Sequence, residues 1–252
     1  MRWALLSDPV PHPGWWNMAL DRALLDEAAR TGKGYLRLYR WEPWCLSFGC
    51  HEPARRRYDR TRIDRLKLDT VRRPTGGRAV WHARELTYAV AAPTGRLGSL
   101  RESCTAIHAA LAAAVEALGA PTTLAPSIRP SEPGAGACFA NPAGGEVLVG
   151  GRKLVGSAQL RRARAFLQHG SLLLEDDQSL VAELAGGAPT PLGITLREAV
   201  GRGVTFDQAA ESIVTAAMSR WGGYWDRATA AMDDLVGRHA ALFQDPAWTW
   251  RR

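Results

Sequence analysis

The run from Glu146 to Leu174, EVLVGGRKLVGSAQLRRARAFLQHGSLLL, constrains the fold more than any other stretch. Glu146–Val149 and Arg152–Gln159 are strand-like and joined by Gly150–Gly151, a pair that supplies the positive φ angles of a tight hairpin. Phe166–Leu174 is the next strand run. Further strand runs lie at 2–6, Tyr35–Tyr39, Cys45–Cys50, 69–73, Ala79–His82 and Leu86–Ala91. Helical periodicity marks Asn17–Arg30, where Met18, Leu20, Ala23, Leu24 and Ala28 share a face. Ser99 with Glu102 opens a second helix that ends near Gly119, and Thr205 with Gln208 opens a third. A short surface helix is expected over Arg55–Leu66 and another helix over Asp226–Phe243. Strands and helices mix without regular βαβ alternation, so the expected class is α+β, a mainly antiparallel or mixed sheet with packed helices. No internal repeat or linker divides the chain, and residues 1–252 are read as a single domain.

Composition narrows the function classes. No apolar run approaches the roughly 18 residues of a membrane helix, and the N-terminus lacks the apolar core of an export signal. A cytoplasmic protein is expected, with no membrane partner. Cys45, Cys50, Cys104 and Cys138 include no CxxC pair, which argues against a zinc knuckle; no metal is expected. The net charge of +7 favours an acidic partner. Nearly all the basic residues are arginine; only Lys33, Lys67 and Lys153 are lysines. Unlike Arg, a lysine can lose its proton near neutral pH when its surroundings lower its pKa, which draws attention to Lys153.

Three constellations could carry chemistry. In RRPTGGR, Gly76 and Gly77 permit close backbone approach, and Arg72, Arg73 and Arg78 suit a phosphate or carboxylate, with His82 on the strand that leaves the turn. The plainer reading is a hairpin with scattered surface arginines. The stretch lacks the GK[ST] ending of a Walker A loop and is no dinucleotide fingerprint. The second constellation is Cys138, in the Pro/Gly/Ala/Ser-rich loop 126–145, with Lys153 on the hairpin beyond it. A thiolate is a nucleophile that a nearby cation stabilises, and a desolvated lysine can move protons. The alternative is a loop thiol and a lysine that shields a sheet edge. Third, Gly156, Ser157, Ala158 and Gly170 are small enough to leave a slot for a narrow apolar chain, with Leu172 and Leu174 as neighbours. His169 is then either a base or orienting donor, or a core histidine satisfied by its neighbours.

In combination and order these stretches resemble one family. VRRPTGGRAVWHARELTYAV resembles the RRxxGGGxVxHD motif of the lipoate–protein ligase and octanoyltransferase superfamily, which includes the biotin ligases. GGRKLVGSAQ followed by LQHGSLLL resembles its second motif, and WNMALDRALL its first helix. The resemblance runs from Met1 to about Trp225, with a core at about 30–225, and implies a biotin/lipoate-ligase-like catalytic domain. ACFANPAGGEVLVGGRKLVGSAQ is similar to the cysteine-dependent, ligase-like octanoyltransferases. There the cysteine of the CF pair carries the acyl group and the lysine of the GRK turn lowers its pKa; these positions are Cys138 and Lys153. The resemblance implies an acyltransferase of lipoate biosynthesis. It would move an octanoyl (or lipoyl) group from octanoyl–acyl carrier protein, through a Cys138 thioester, to a lysine of a lipoyl domain or a glycine-cleavage H-type acceptor. Substrate would meet Arg72, Arg73, Gly76, Gly77, Arg78, His82, Gly156, Ser157, Ala158, His169 and Gly170. No cofactor or nucleic acid is implied. Arg161, Arg162 and Arg164 could attract an acidic carrier. The chain departs from the pattern at Ala83, where the family has Asp, at Arg78, in place of a third glycine, and at Gly144–Gly145, in place of bulkier residues. An ATP-dependent lipoate–protein ligase is the alternative: it would form an acyl-adenylate on the RRPTGGR loop and would not need Cys138. Such ligases carry an Asn-Asp pair where this chain has Ala143–Gly144–Gly145. A non-catalytic binding protein is the remaining class.

Overall fold

The structure, a computed structural model, describes residues 2–8, 10–126, 144–176, 178–188, 193–228 and 232–252. Cys138 and most of the 126–145 loop lie outside these. The chain opens with β1 (Arg2–Ser7), α1 (Gly14–Thr31) and β2 (Gly34–Tyr39). A smaller unit follows: β3 (Cys45–Phe48), α2 (Ala54–Arg57), α3 (Arg60–Arg65), β4 (Asp69–Arg72) and β5 (Val80–His82). Next come β6 (Glu85–Pro93), α4 (Leu100–Ala117), β7 (Thr123–Leu124), β8 (Val147–Val149), β9 (Arg152–Lys153), β10 (Val155–Arg162) and β11 (Ala165–Leu173). The last part holds α5 (Ser179–Leu184), α6 (Leu196–Val200), α7 (Phe206–Trp221), β12 (Tyr224–Arg227), α8 (Met232–Gly237), α9 (Ala240–Gln244) and α10 (Pro246–Thr249).

Among the described residues the main sheet has six strands in the order β10-β11-β6-β2-β1-β12. Its β12–β1 and β1–β2 pairings are parallel and the others antiparallel, so the sheet is mixed and the class is α+β as expected. Alternation along the strands divides the buried side chains between two cores. Trp3 and Leu5 face one way and pack with Ile107, Leu111 and Ile213 of α4 and α7. Ala4 and Leu6 face the other way and pack with Met18 and Leu24 of α1. Each large apolar side chain so buried stabilises the fold by about 1.5–3 kcal/mol. Two small sheets, β4-β3-β5 and β7-β8-β9, flank the main one. Among the described residues no helix is long and apolar enough to cross a membrane.

Three elements differ from expectation. Arg55–Leu66 is two helices, because Tyr58 turns inward to donate its hydroxyl to Glu52 Oε1 (2.8 Å) and Asp59 then caps a new helix through the Arg62 amide. The expected helix from Asp226 begins instead as a strand: Gly222–Gly223 stop α7, and Tyr224–Arg227 pair with β1 before α8 and α9 form. The expected strand Arg152–Gln159 changes sheets at Leu154. Lys153 pairs with Leu148 in the small sheet, whereas Gly156–Ala158 pair with His169–Ser171 in the main one.

Candidate active site

The glycine loop sits on β3. Cys50 N donates to Thr75 O (2.8 Å) and Arg73 N to Phe48 O (2.8 Å), which pins both sides of the turn. Gly77 adopts φ +90°; Gly76 does not share that conformation. Gly49 lies so close beneath the Gly77 carbonyl that a Cβ there would collide with it. The Arg73 guanidinium is buried beneath the loop. It donates from Nη1 to Ser47 O (2.8 Å) and Ser47 Oγ (2.6 Å), and from Nη2 to Gly76 O (3.2 Å) and Arg78 O (2.7 Å). Arg73 thus orders the loop by binding its carbonyls. Arg72 points elsewhere. It donates to the carbonyls of Gly49, Glu52, Trp248 and Thr249 and ties the C-terminal segment to β4. Burial, with Arg251 nearby, lowers its pKa to about 10.

Beyond the loop a narrow pocket opens against β10 and β11. Its walls include Arg73, His82, Gly156, Ser157, Ala158, His169 and Gly170. Seven residues singled out in the sequence therefore meet at one cavity. Gly76, Gly77 and Arg78 stand in the adjoining loop, outside the lining. Leu172 and Leu174 join the core under α4 and α7 instead of the pocket. Met18, Val80, Thr87 and Ser171, which lie within the quoted motifs without having been singled out as site residues, and Tyr39 and Trp41, outside them, complete the walls. Glycine at 170 answers a packing demand as well: a Cβ would strike the Gly156 carbonyl and Ser157 Oγ.

Each pocket histidine has both ring nitrogens engaged. His169 Nδ1 faces Asp21 Oδ2 (2.8 Å) and Nε2 faces Thr75 Oγ1 (2.6 Å), the geometry of a satisfied core histidine. Burial lowers its pKa against the pull of Asp21. Burial pushes the Asp21 carboxyl up, but His169 and Arg37 outweigh it and hold it below the ordinary range. His82 Nε2 faces Ser47 Oγ (2.6 Å) and Nδ1 faces Glu85 Oε1 (2.7 Å).

Lys153 is 3% exposed, and its Nζ donates to Glu146 Oε1 across the hairpin (2.7 Å). A buried ammonium is retained only with such a partner. The charge reaches a second buried cluster behind the pocket wall. Ser157 Oγ lies 2.8 Å from His108 Nε2 and 2.7 Å from Tyr88 OH, and Gln168 Nε2 donates to Tyr88 OH (3.0 Å). Burial, reinforced by Lys153, lowers the His108 pKa to about 4, although the Gly145 backbone pulls it up. His108 is therefore neutral at neutral pH, tied to Gly145 at the near end of the segment that contains Cys138. On α4 it shares the buried face of Ile107 and Leu111, a pattern that reads as core. Glu146 likewise reads as one more residue of a hairpin strand. Arg161, Arg162 and Arg164 form the exposed far turn of the β10–β11 pair, at least four residues, or about 13 Å, along the strand from Ser157. Among the described residues no group of three or more His, Cys, Asp or Glu could hold a metal ion.

The family model described as the lipoyl protein ligase A/B catalytic domain matches residues 13–217. The octanoyltransferase LipM of Moorella thermoacetica is 35% identical over 263 residues, which cover 95% of this chain and 96% of that protein. A Thermoplasma acidophilum protein solved with bound lipoic acid superposes with a TM-score of 0.82 at 18% identity, over 100% of both chains. Lipoate-protein ligase A bound with ATP gives 0.76 at 18% identity, over 99% of this chain and 98% of that one. These two structures share the fold.

Proposed function

The chain belongs to the lipoyl protein ligase A/B catalytic-domain family, and we propose that it is an octanoyltransferase of lipoate biosynthesis, a single catalytic domain. In the first step the Cys138 thiolate attacks the thioester carbonyl of octanoyl–acyl carrier protein. A new C–S bond forms, and the carrier's thiolate leaves and takes a proton. In the second step the neutral ε-amine of a lysine on a lipoyl-type or H-type acceptor attacks the octanoyl–Cys138 thioester. A C–N bond forms, the Cys138 thiolate departs, and the amine's extra proton passes to a base. Lys153, held by Glu146 on the hairpin that follows the cysteine, supplies a cation that favours the thiolate. The octanoyl chain occupies the slot between the glycine loop and β10–β11.

The observation that supports this reading most is the pocket itself: narrow, walled by Gly156, Ser157, Ala158 and Gly170, and floored by Met18, Tyr39 and Trp41. The test is transfer from octanoyl–acyl carrier protein to a lipoyl domain without ATP, followed by intact mass. Octanoylated acceptor with wild type and none with Cys138→Ser is expected. Acceptor modification that requires ATP and free octanoate, and that survives Cys138→Ser, would replace this reading with the ligase.

A further inference from the structure

Glu85 has no part in the scheme above, and its surroundings are unusual. It begins β6 and is 3% exposed. Its Oε1 faces His82 Nδ1 (2.7 Å), Ser171 Oγ (3.1 Å) and the Thr87 hydroxyl. Behind His82, Arg73 Nη1 donates to Ser47 Oγ, which stands 2.6 Å from His82 Nε2. Two hydroxyls donate to this one oxygen and an imidazole nitrogen faces it, a setting that suits an ionised carboxylate. Its other oxygen, Oε2, is buried with no hydrogen-bond partner. A buried acceptor left unpaired costs about 1–3 kcal/mol, more when charged.

Glu85 also lines an open cleft of about 380 Å³ that shares Trp41 with the pocket. Trp41, Trp44 and Phe206 wall it, and Trp44 is 46% exposed. Its charges are Glu42, Glu85 and Glu175 against Arg40 and Arg84. Arg84 is committed to Asp176 (2.7 Å) and Glu175 to Arg197 (2.8 Å), which leaves Glu42 and Glu85 as the cleft's acidic groups, and the Arg40 guanidinium lies 4.5 Å over the Phe206 ring. Trp41 belongs to both cavities and stacks on His82 with ring centroids 4.0 Å apart, so the cleft meets the acyl slot at that pair.

We propose that this cleft binds a primary alkylammonium, the side chain of the incoming acceptor lysine, with Glu85 Oε2 receiving its N–H. Indole faces suit both the methylene stem and the cation, and the ammonium supplies the donor that the carboxylate lacks. The proposal rests on the acyl-transfer reading for its purpose, but the binding itself needs no acyl chemistry. Ligand-observed NMR of butylammonium chloride on the full chain, with 1-butanol as the neutral control, therefore tests it directly. Wild type binds butylammonium in preference to butanol. Glu85→Gln weakens that binding by at least about tenfold, the scale of one charge-assisted hydrogen bond. Trp44→Ala, on the exposed wall, weakens it several-fold and decides the matter if Glu85→Gln fails to fold. On preformed octanoyl-enzyme, the ratio of discharge by butylamine to discharge by hydroxylamine, which is uncharged at neutral pH, falls by a similar factor in both variants, through a higher KM for butylamine. Equal binding of the amine and the alcohol by wild type, or wild-type amine binding by the variants, overturns the proposal. If no octanoyl-enzyme forms, the acyl-transfer reading fails and the NMR comparison still decides the site.

Discussion

His108 titrates differently in the folded and unfolded chain. Burial holds its folded pKa at about 4, below the unfolded value of 6.5. Above about pH 6.5 the ring is neutral in both states and makes no pH-dependent contribution. Between about pH 6.5 and 4 the unfolded chain takes up a proton that the folded chain refuses, so stability falls by up to about 3 kcal/mol over that window. Urea unfolding at pH 7 and about pH 4.5 checks this: the penalty of His108→Gln should be smaller at the lower pH. A second prediction concerns the buried ion pair. Lys153→Met leaves Glu146 without its Nζ donor and should cost about 3–5 kcal/mol in urea unfolding, while Lys153→Met with Glu146→Leu recovers most of it. Lys153 was legible because lysine is scarce in this chain. Its partner was not, since only the β8–β9 register brings Glu146 back to it. His108 was hidden for a related reason: a histidine beside Ile107 looks like core until Ser157 is seen opposite.

At the scale of elements, the glycine loop depends on close packing between β3 and the turn above it. Gly49→Ala would drive a Cβ into the Gly77 carbonyl. It should destabilise by about 1–3 kcal/mol and, by displacing the turn that Arg73 holds, weaken octanoyl transfer more than it lowers the thermal midpoint. The Gly150–Gly151 hairpin and the strand runs of β6, β10 and β11 were readable from alternation and turn signals, whereas the pairing of β6 with β11 was not. The helices capped by Ser99 and Thr205 formed their capping boxes as expected. Other elements escaped because non-local contacts decide them. Residue Leu154 moves the chain from one sheet to another because Leu154 N bonds Val147 O and Leu173 N bonds Leu154 O. The strand Tyr224–Arg227 exists through its parallel partner β1, more than 200 residues earlier, and through Trp225 stacked on Trp3 at 5.3 Å.

Across the whole molecule, Arg72 links the C-terminal segment to the end of β3 beneath the glycine loop. Its guanidinium reaches the Trp248 and Thr249 carbonyls, and Trp250 packs on Phe48 at 5.0 Å, one strand below the glycine loop. Trp250→Ala should therefore cost about 3–5 kcal/mol in urea unfolding and loosen the loop, although it lies far along the chain from any motif. That coupling could not be read from the aromatic and basic tail, which offers no periodicity. The pocket was legible in outline, as small residues on two strands beside a glycine turn, whereas its floor of Met18, Tyr39 and Trp41 required the packing of α1 and β2 against the sheet. The central claim is that octanoate passes through a thioester on Cys138 within this pocket. Intact-protein mass spectrometry after mixing the protein with octanoyl–acyl carrier protein, without ATP, tests it most directly. The account predicts a single hydroxylamine-labile octanoyl adduct on wild type and none on Cys138→Ser; no adduct on wild type, or an equal adduct on both proteins, would contradict it.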